Sequence, residues 1–170
     1  MYNVGVNAGD GGKGGIMEEL TVEEIIKYAI RVEQEAYQFY KKASRILGGN
    51  ELKSLTDELA EQELGHINQL KVYIKEDTVI EEELSYLLTV DTSLFDKIIA
   101  VRDIPSCSTR GDILMIALDR EQTTQKNYEM LSQLEKLGEE IRSTFGSLAQ
   151  KEAFHANLIR EKLAQMKGRC

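Results

Sequence analysis

The chain has 170 residues, enough for one domain, with 21 Lys and Arg against 29 Asp and Glu, a formal net charge of −8. That balance speaks against binding nucleic acid or an anionic membrane surface, since both attract basic proteins. A single proline and no tryptophan favour long helices, and no apolar run approaches the roughly 18 residues of a membrane span.

Residues 1–16 have six glycines in the first 15 positions and no apolar signal-peptide core. They read as a disordered leader, with Met17 as a natural start. Residues 17–170 read as one helical domain. Thr21 with Glu24 forms a capping-box signature, so a first helix is expected from there to Leu47, stopped by Gly48-Gly49. Asn50 is the expected cap of a second helix running to about Lys75. A crossover from about Asp77 to Arg110 holds apolar stretches and is expected to form one or two short helices. Ser108 or Thr109 is the expected cap of a third helix that ends near Leu137, before Gly138. A fourth helix is expected over about Glu139–Met166. The fold class is therefore all-α: a four-helix bundle made of two hairpins joined by a long crossover.

Each long helix carries a core seam at alternating steps of four and three. The first reads Val22, Ile26, Ala29, Glu33, Ala36, Tyr40, Ala43, Leu47 and the second Leu52, Thr56, Leu59, Glu63, His66, Leu70, Tyr73. The third reads Leu114, Ala117, Glu121, Thr124, Tyr128, Leu131 and the fourth Ile141, Phe145, Leu148, Glu152, His155, Ile159. Every seam is interrupted near its middle by Glu, or by Glu and His. An unpaired carboxylate on a bundle's core face is costly, and no Lys or Arg lies in these seams to compensate it. Two divalent cations would balance four Glu, with two neutral imidazoles completing the shell. Residues three apart share a helix face, so Glu63 with His66, and Glu152 with His155, can each reach one metal or an adjacent pair. Glu33 and Glu121 would face them and bridge or terminate the pair. Carboxylate and imidazole ligands suit iron or manganese, and zinc also fits.

The halves of the chain repeat. Glu33 precedes Tyr40 by seven residues and Glu63 by 30, and Glu121 precedes Tyr128 by seven and Glu152 by 31. The two hairpins therefore look like copies about a pseudo-twofold axis. Tyr40 and Tyr128 lie two turns from the Glu on their own helix and are expected to donate to a carboxylate on an antiparallel neighbour. Tyr37 and Tyr73 read as packing residues, and Glu81-Glu82-Glu83 as a solvated face. Cys107 and Cys170 form neither a disulfide framework nor a zinc knuckle, which points to the cytoplasm.

The phrases VEQEAYQFY, LAEQELGHINQL, LAQKEAFHANLI and, less closely, LDREQTTQKNY resemble the rubrerythrin branch of the ferritin-like di-iron carboxylate proteins over about residues 21–166. The resemblance implies a ferritin-like bundle in which Glu33, Glu63, His66, Glu121, Glu152 and His155 bind two iron ions. It also implies reduction of hydrogen peroxide, oxidation of ferrous iron by dioxygen, or iron storage. Two departures matter. The chain lacks the four cysteines of a rubredoxin-like module, so electrons would come from a separate donor protein. Peroxide-reducing rubrerythrins carry a further Glu three residues after the third-helix ligand, where this chain has Thr124. The first expectation is a di-iron oxidoreductase assembled as a homodimer. The alternatives are a ferrous-iron oxidising or storage protein, and a helical interaction module with an inert site whose apolar crossover packs on a partner.

Overall fold

The computed structural model describes residues 17–74, 87–91 and 104–167. The leader at 1–16, the expected short helices of the crossover, the acidic run Glu81–Glu83 and Cys170 lie outside those residues. The described elements are strand β1 (Met17–Thr21), helix α1 (Val22–Leu47), helix α2 (Asn50–Lys71), a 3₁₀ turn (Val72–Ile74), strand β2 (Leu87–Asp91), helix α3 (Arg110–Ser132) and helix α4 (Glu139–Lys167). None of these helices is long and apolar enough to cross a membrane.

Local chemistry sets the helix ends. Thr21 Oγ1 accepts from the Glu24 amide at 3.1 Å, and Glu24 Oε2 accepts from the Thr21 amide at 2.8 Å, completing the expected box. At α3 the cap is Thr109, and its partner is Asp112 with the same reciprocal bonds at 3.1 and 2.8 Å. The α1–α2 turn passes through Gly48 and Gly49 at φ of 51° and 72°, a left-handed region that side chains disfavour. Gly49, not Asn50, is the cap residue of α2, and it makes no side-chain cap bond.

Two helices are shorter than their sequence patterns imply. α2 tightens into the 3₁₀ turn after Lys71, where Tyr73 is still buried and shares a 2.7 Å hydrogen bond with Thr144. α3 ends at Ser132 instead of about Leu137. There Arg142 Nε reaches back to the Ser132 carbonyl at 3.0 Å, and the amides of Leu134 and Leu137 close successive turns. This supplies partners for terminal groups that a longer helix would have paired internally.

The sequence pattern also missed a small sheet. β1 and β2 pair antiparallel, from Met17 against Asp91 to Thr21 against Leu87. Leu20, Leu88 and Val90 turn inward and join the core, while Leu87 is exposed. The crossover is thus fastened to the strand that leads into α1.

The four helices pack as anticipated, and every seam residue named above is buried. Tyr40 meets Glu121 while Glu33 meets Tyr128, so α1 and α3 run antiparallel. The apolar core divides in two. One cluster joins the sheet, the first half of α1 and the ends of α2, α3 and α4 nearest to it. The other holds Phe39, Tyr40, Leu47, Leu59, Ile113, Leu114 and Ile159. Between them lies a polar layer.

Candidate metal centre

That layer is built from the interruptions in the seams. Glu33, Glu63, Glu121 and Glu152 are at most 1% exposed, and His66 and His155 are 3% and 0% exposed. α1 and α3 each supply one Glu, and α2 and α4 each supply a Glu and a His one turn apart. The ring planes of His66 and His155 lie 11° from parallel with centroids 5.5 Å apart, as expected for two related halves.

All six sequence-predicted residues converge here, in two overlapping groups. Glu33, Glu63, His66 and Glu152 each offer an atom within 4.8 Å of the others, and so do Glu63, Glu121, Glu152 and His155. Glu63 and Glu152 belong to both groups. Glu33 and Glu121 therefore lie at the two ends, and the shared carboxylates come from α2 and α4. His66 Nδ1 lies 3.0 Å from Glu63 Oε2, 3.0 Å from Glu152 Oε1 and 3.3 Å from Glu33 Oε2. His155 Nδ1 lies 3.1 Å from Glu121 Oε2, 3.4 Å from Glu63 Oε1 and 3.5 Å from Glu152 Oε2. One ring nitrogen carries at most one hydrogen, so it cannot serve three carboxylates. Accordingly both oxygens of Glu63 and Oε1 of Glu152 are buried without a hydrogen bond. Orphaned anionic oxygens converging with imidazole nitrogens are the arrangement that a cation completes, so the donor set fits two metal ions.

Tyr40 and Tyr128 occupy the places expected of them. Tyr40 donates from its hydroxyl to Glu121, and Tyr128 donates to Glu33. Both rings are fully buried. Burial, then the charge of the carboxylate beside each, holds both phenols well above their ordinary range, so both remain donors.

Without metal, protons compensate the charge. Burial, then the neighbouring Glu152 and Glu63 charges, push the carboxyls of Glu33 and Glu121 well up. Burial also opposes ionisation of Glu63 and Glu152, but the imidazoles beside them prevail and hold both below the usual range. The imidazoles respond in kind. Burial would lower His66, yet Glu152, Glu33 and Glu63 raise it to about 12. Glu121, Glu152 and Glu63 likewise raise His155 far above its ordinary value.

Two residues of this region were not anticipated. Gln62, half-buried on α2, accepts from His155 Nε2 across the bundle at 2.7 Å. Arg120, beside Glu121, is buried with its guanidinium 5.2 Å from the centre of the Phe39 ring. Both fall outside the alternating seams, where a polar residue reads as solvated. Tyr37 packs at the edge of the second core cluster, and Cys107 is exposed.

The ferritin-like domain family matches residues 21–165. The chain belongs to the ferritin-like domain family. A crystal structure from Thermotoga maritima, provisionally described as a ferritin-like diiron-carboxylate protein, superposes with a TM-score of 0.66 at 23% identity. The match covers 87% of this chain and 97% of that one and shares its fold. No curated protein matches the chain. The fold class is therefore the expected one. The membership reaches the ferritin-like family as a whole, without distinguishing the rubrerythrin branch.

Proposed function

We propose that the ferritin-like bundle is a di-iron oxidoreductase acting on hydrogen peroxide or dioxygen. Its ligands would be Glu33, Glu63, His66, Glu121, Glu152 and His155. The carrying observation is the buried layer of four carboxylates and two imidazoles in which three carboxylate oxygens lack any hydrogen bond. Mixed oxygen and nitrogen ligands favour iron, with manganese or zinc as the competing occupants. The chemistry that a bound iron pair supplies is two-electron reduction of the oxidant.

The chain's own residues define how that chemistry is housed. Glu63 and Glu152 are shared between the two groups, so they would help to hold both metals. Glu33 and Glu121 each belong to one group only, and each accepts from one tyrosine, which keeps the direction of its carboxylate. Tyr128 and Tyr40 keep a proton on the phenolic oxygen beside each of these carboxylates. The two apolar clusters exclude bulk water from the layer, which strengthens each electrostatic interaction within it. Reduction of peroxide to two waters consumes two electrons and two protons, and a separate donor protein would restore the electrons between turnovers.

Thr124 favours a second reading. It is buried three residues after Glu121 and offers no carboxylate there. That counts against the peroxide arm and leaves oxidation of ferrous iron by dioxygen as the second reading. Stopped-flow mixing of anaerobic ferrous protein with each oxidant tests both readings. Oxidation faster than that of free ferrous ion is expected, and continued oxidation of ferrous iron beyond two per chain would identify iron as a substrate, whereas oxidation that stops at two would favour the resident centre. Rates equal to free ferrous ion with both oxidants would refute the oxidoreductase.

A further inference from the structure

The two halves of the metal centre are near copies, but one contact breaks the symmetry. Gln62 precedes Glu63 on α2 and crosses to α4, where its Oε1 accepts from His155 Nε2 at 2.7 Å. Its own amide nitrogen donates to Glu58 Oε1 at 3.3 Å, which fixes the carbonyl end toward the imidazole. The equivalent residue of the other half, preceding Glu152 on α4, is Lys151. An ammonium has no lone pair to accept an imidazole N–H. Lys151 is exposed and donates to Gln69 Oε1 at 2.9 Å. No described side chain accepts from His66 Nε2, whereas His66 Nδ1 has three carboxylates around it, as His155 Nδ1 does.

We infer that Gln62 is a positioning residue that makes the two metal positions unequal, so that the group of Glu63, Glu121, Glu152 and His155 fills first. An acceptor on Nε2 holds the hydrogen there and locks the ring angle, so Nδ1, which faces Glu63, Glu121 and Glu152, is the nitrogen presented to a metal. Such outer partners typically change metal affinity by 10–100-fold. His66 is held by its Nδ1 contacts alone, without a side-chain acceptor on Nε2, so the second metal gains less from a fixed ring. The inference rests on the metal reading above and adds an order of loading to it.

The chain has only two histidines, so the order is directly readable. Histidine ring ¹⁵N signals, assigned to each residue, would be followed while zinc is added in substoichiometric steps from a chelator buffer. In the unaltered protein the His155 Nδ1 signal should complete its shift in the first equivalent and His66 in the second, with affinities about 10–100-fold apart. Gln62→Ala should collapse that separation, and Gln62→Glu, which retains an acceptor, should restore it. Simultaneous response of both rings in the unaltered protein, or an order that survives Gln62→Ala, would overturn the role of Gln62 while leaving the metal centre standing. No response of either ring to two equivalents would overturn the metal reading itself, and this inference with it.

Discussion

Loading the centre with metal should expel protons in a number fixed by its charge. Four buried carboxylates carry −4, and two divalent cations match that with +4. The metal-free layer reaches the same neutrality with four protons, one on each imidazole and one on each of Glu33 and Glu121, the groups pushed upward. Two metals should therefore release about four protons, since ligands bind deprotonated. The product of the two association constants should then rise about 10⁴-fold per pH unit, or about 100-fold per metal. Stability follows with a definite sign. His66 is raised from 6.5 to about 12, so its contribution to the metal-free fold is complete below pH 6.5 and is lost as pH climbs toward about 12. Each proton held only by the folded chain costs about 1.4 kcal/mol of stability per pH unit. Metal-free protein should thus melt lower as pH rises above neutrality, while the margin gained from metal widens. Calorimetric zinc titrations in two buffers of different ionisation enthalpy count the protons. Release of none would refute the reasoning, because the layer would then be ionised before metal arrives or the metal would bind elsewhere.

Substitution should separate the two kinds of carboxylate. Glu33→Gln replaces a group that is protonated in the metal-free layer by one of equal shape, so metal-free stability should change by under about 1 kcal/mol while metal binding weakens sharply. Glu63→Gln removes an ionised partner of both imidazoles and should cost about 3–5 kcal/mol in the metal-free protein. Denaturant titration of both variants checks this contrast, and equal effects would contradict it. Chelation should lower the melting temperature, because a ligand of the folded state at 100 times its dissociation constant adds about 2.7 kcal/mol per site. An unchanged melting curve would mean that the folded state gains nothing from metal. Tyr128→Phe leaves Glu33 without its donor and should cost the metal-loaded protein about 1.5–3 kcal/mol, read from the same titrations.

The bundle and its polar layer were legible because helix periodicity makes a misplaced residue conspicuous. Glu33, Glu63, Glu121 and Glu152 fall at equivalent depths of apolar seams, and burial there demands compensation. That Tyr40 and Tyr128 donate to a carboxylate on a neighbouring helix was legible from the seven-residue spacing repeated in both halves, while the partners, Glu121 and Glu33, are known from the structure. Other features carry weaker signals. β1 and β2 span five residues each, too short for alternation to distinguish Leu87–Asp91 from a helical turn. The end of α3 depends on Arg142 reaching the Ser132 carbonyl, a tertiary contact that no local pattern records. Gln62 is one polar residue among many on an outer flank. Only comparison of QELGH with KEAFH shows that the halves differ just where a ring nitrogen needs an acceptor.

Metal content tests the central claim most directly. Anaerobically loaded and desalted protein should contain two iron ions per chain by elemental analysis, and the Glu63→Ala/Glu152→Ala double variant, which removes both shared carboxylates, should retain none. No iron in the unaltered chain, or two irons held equally well by the double variant, would contradict a centre built in the bundle core.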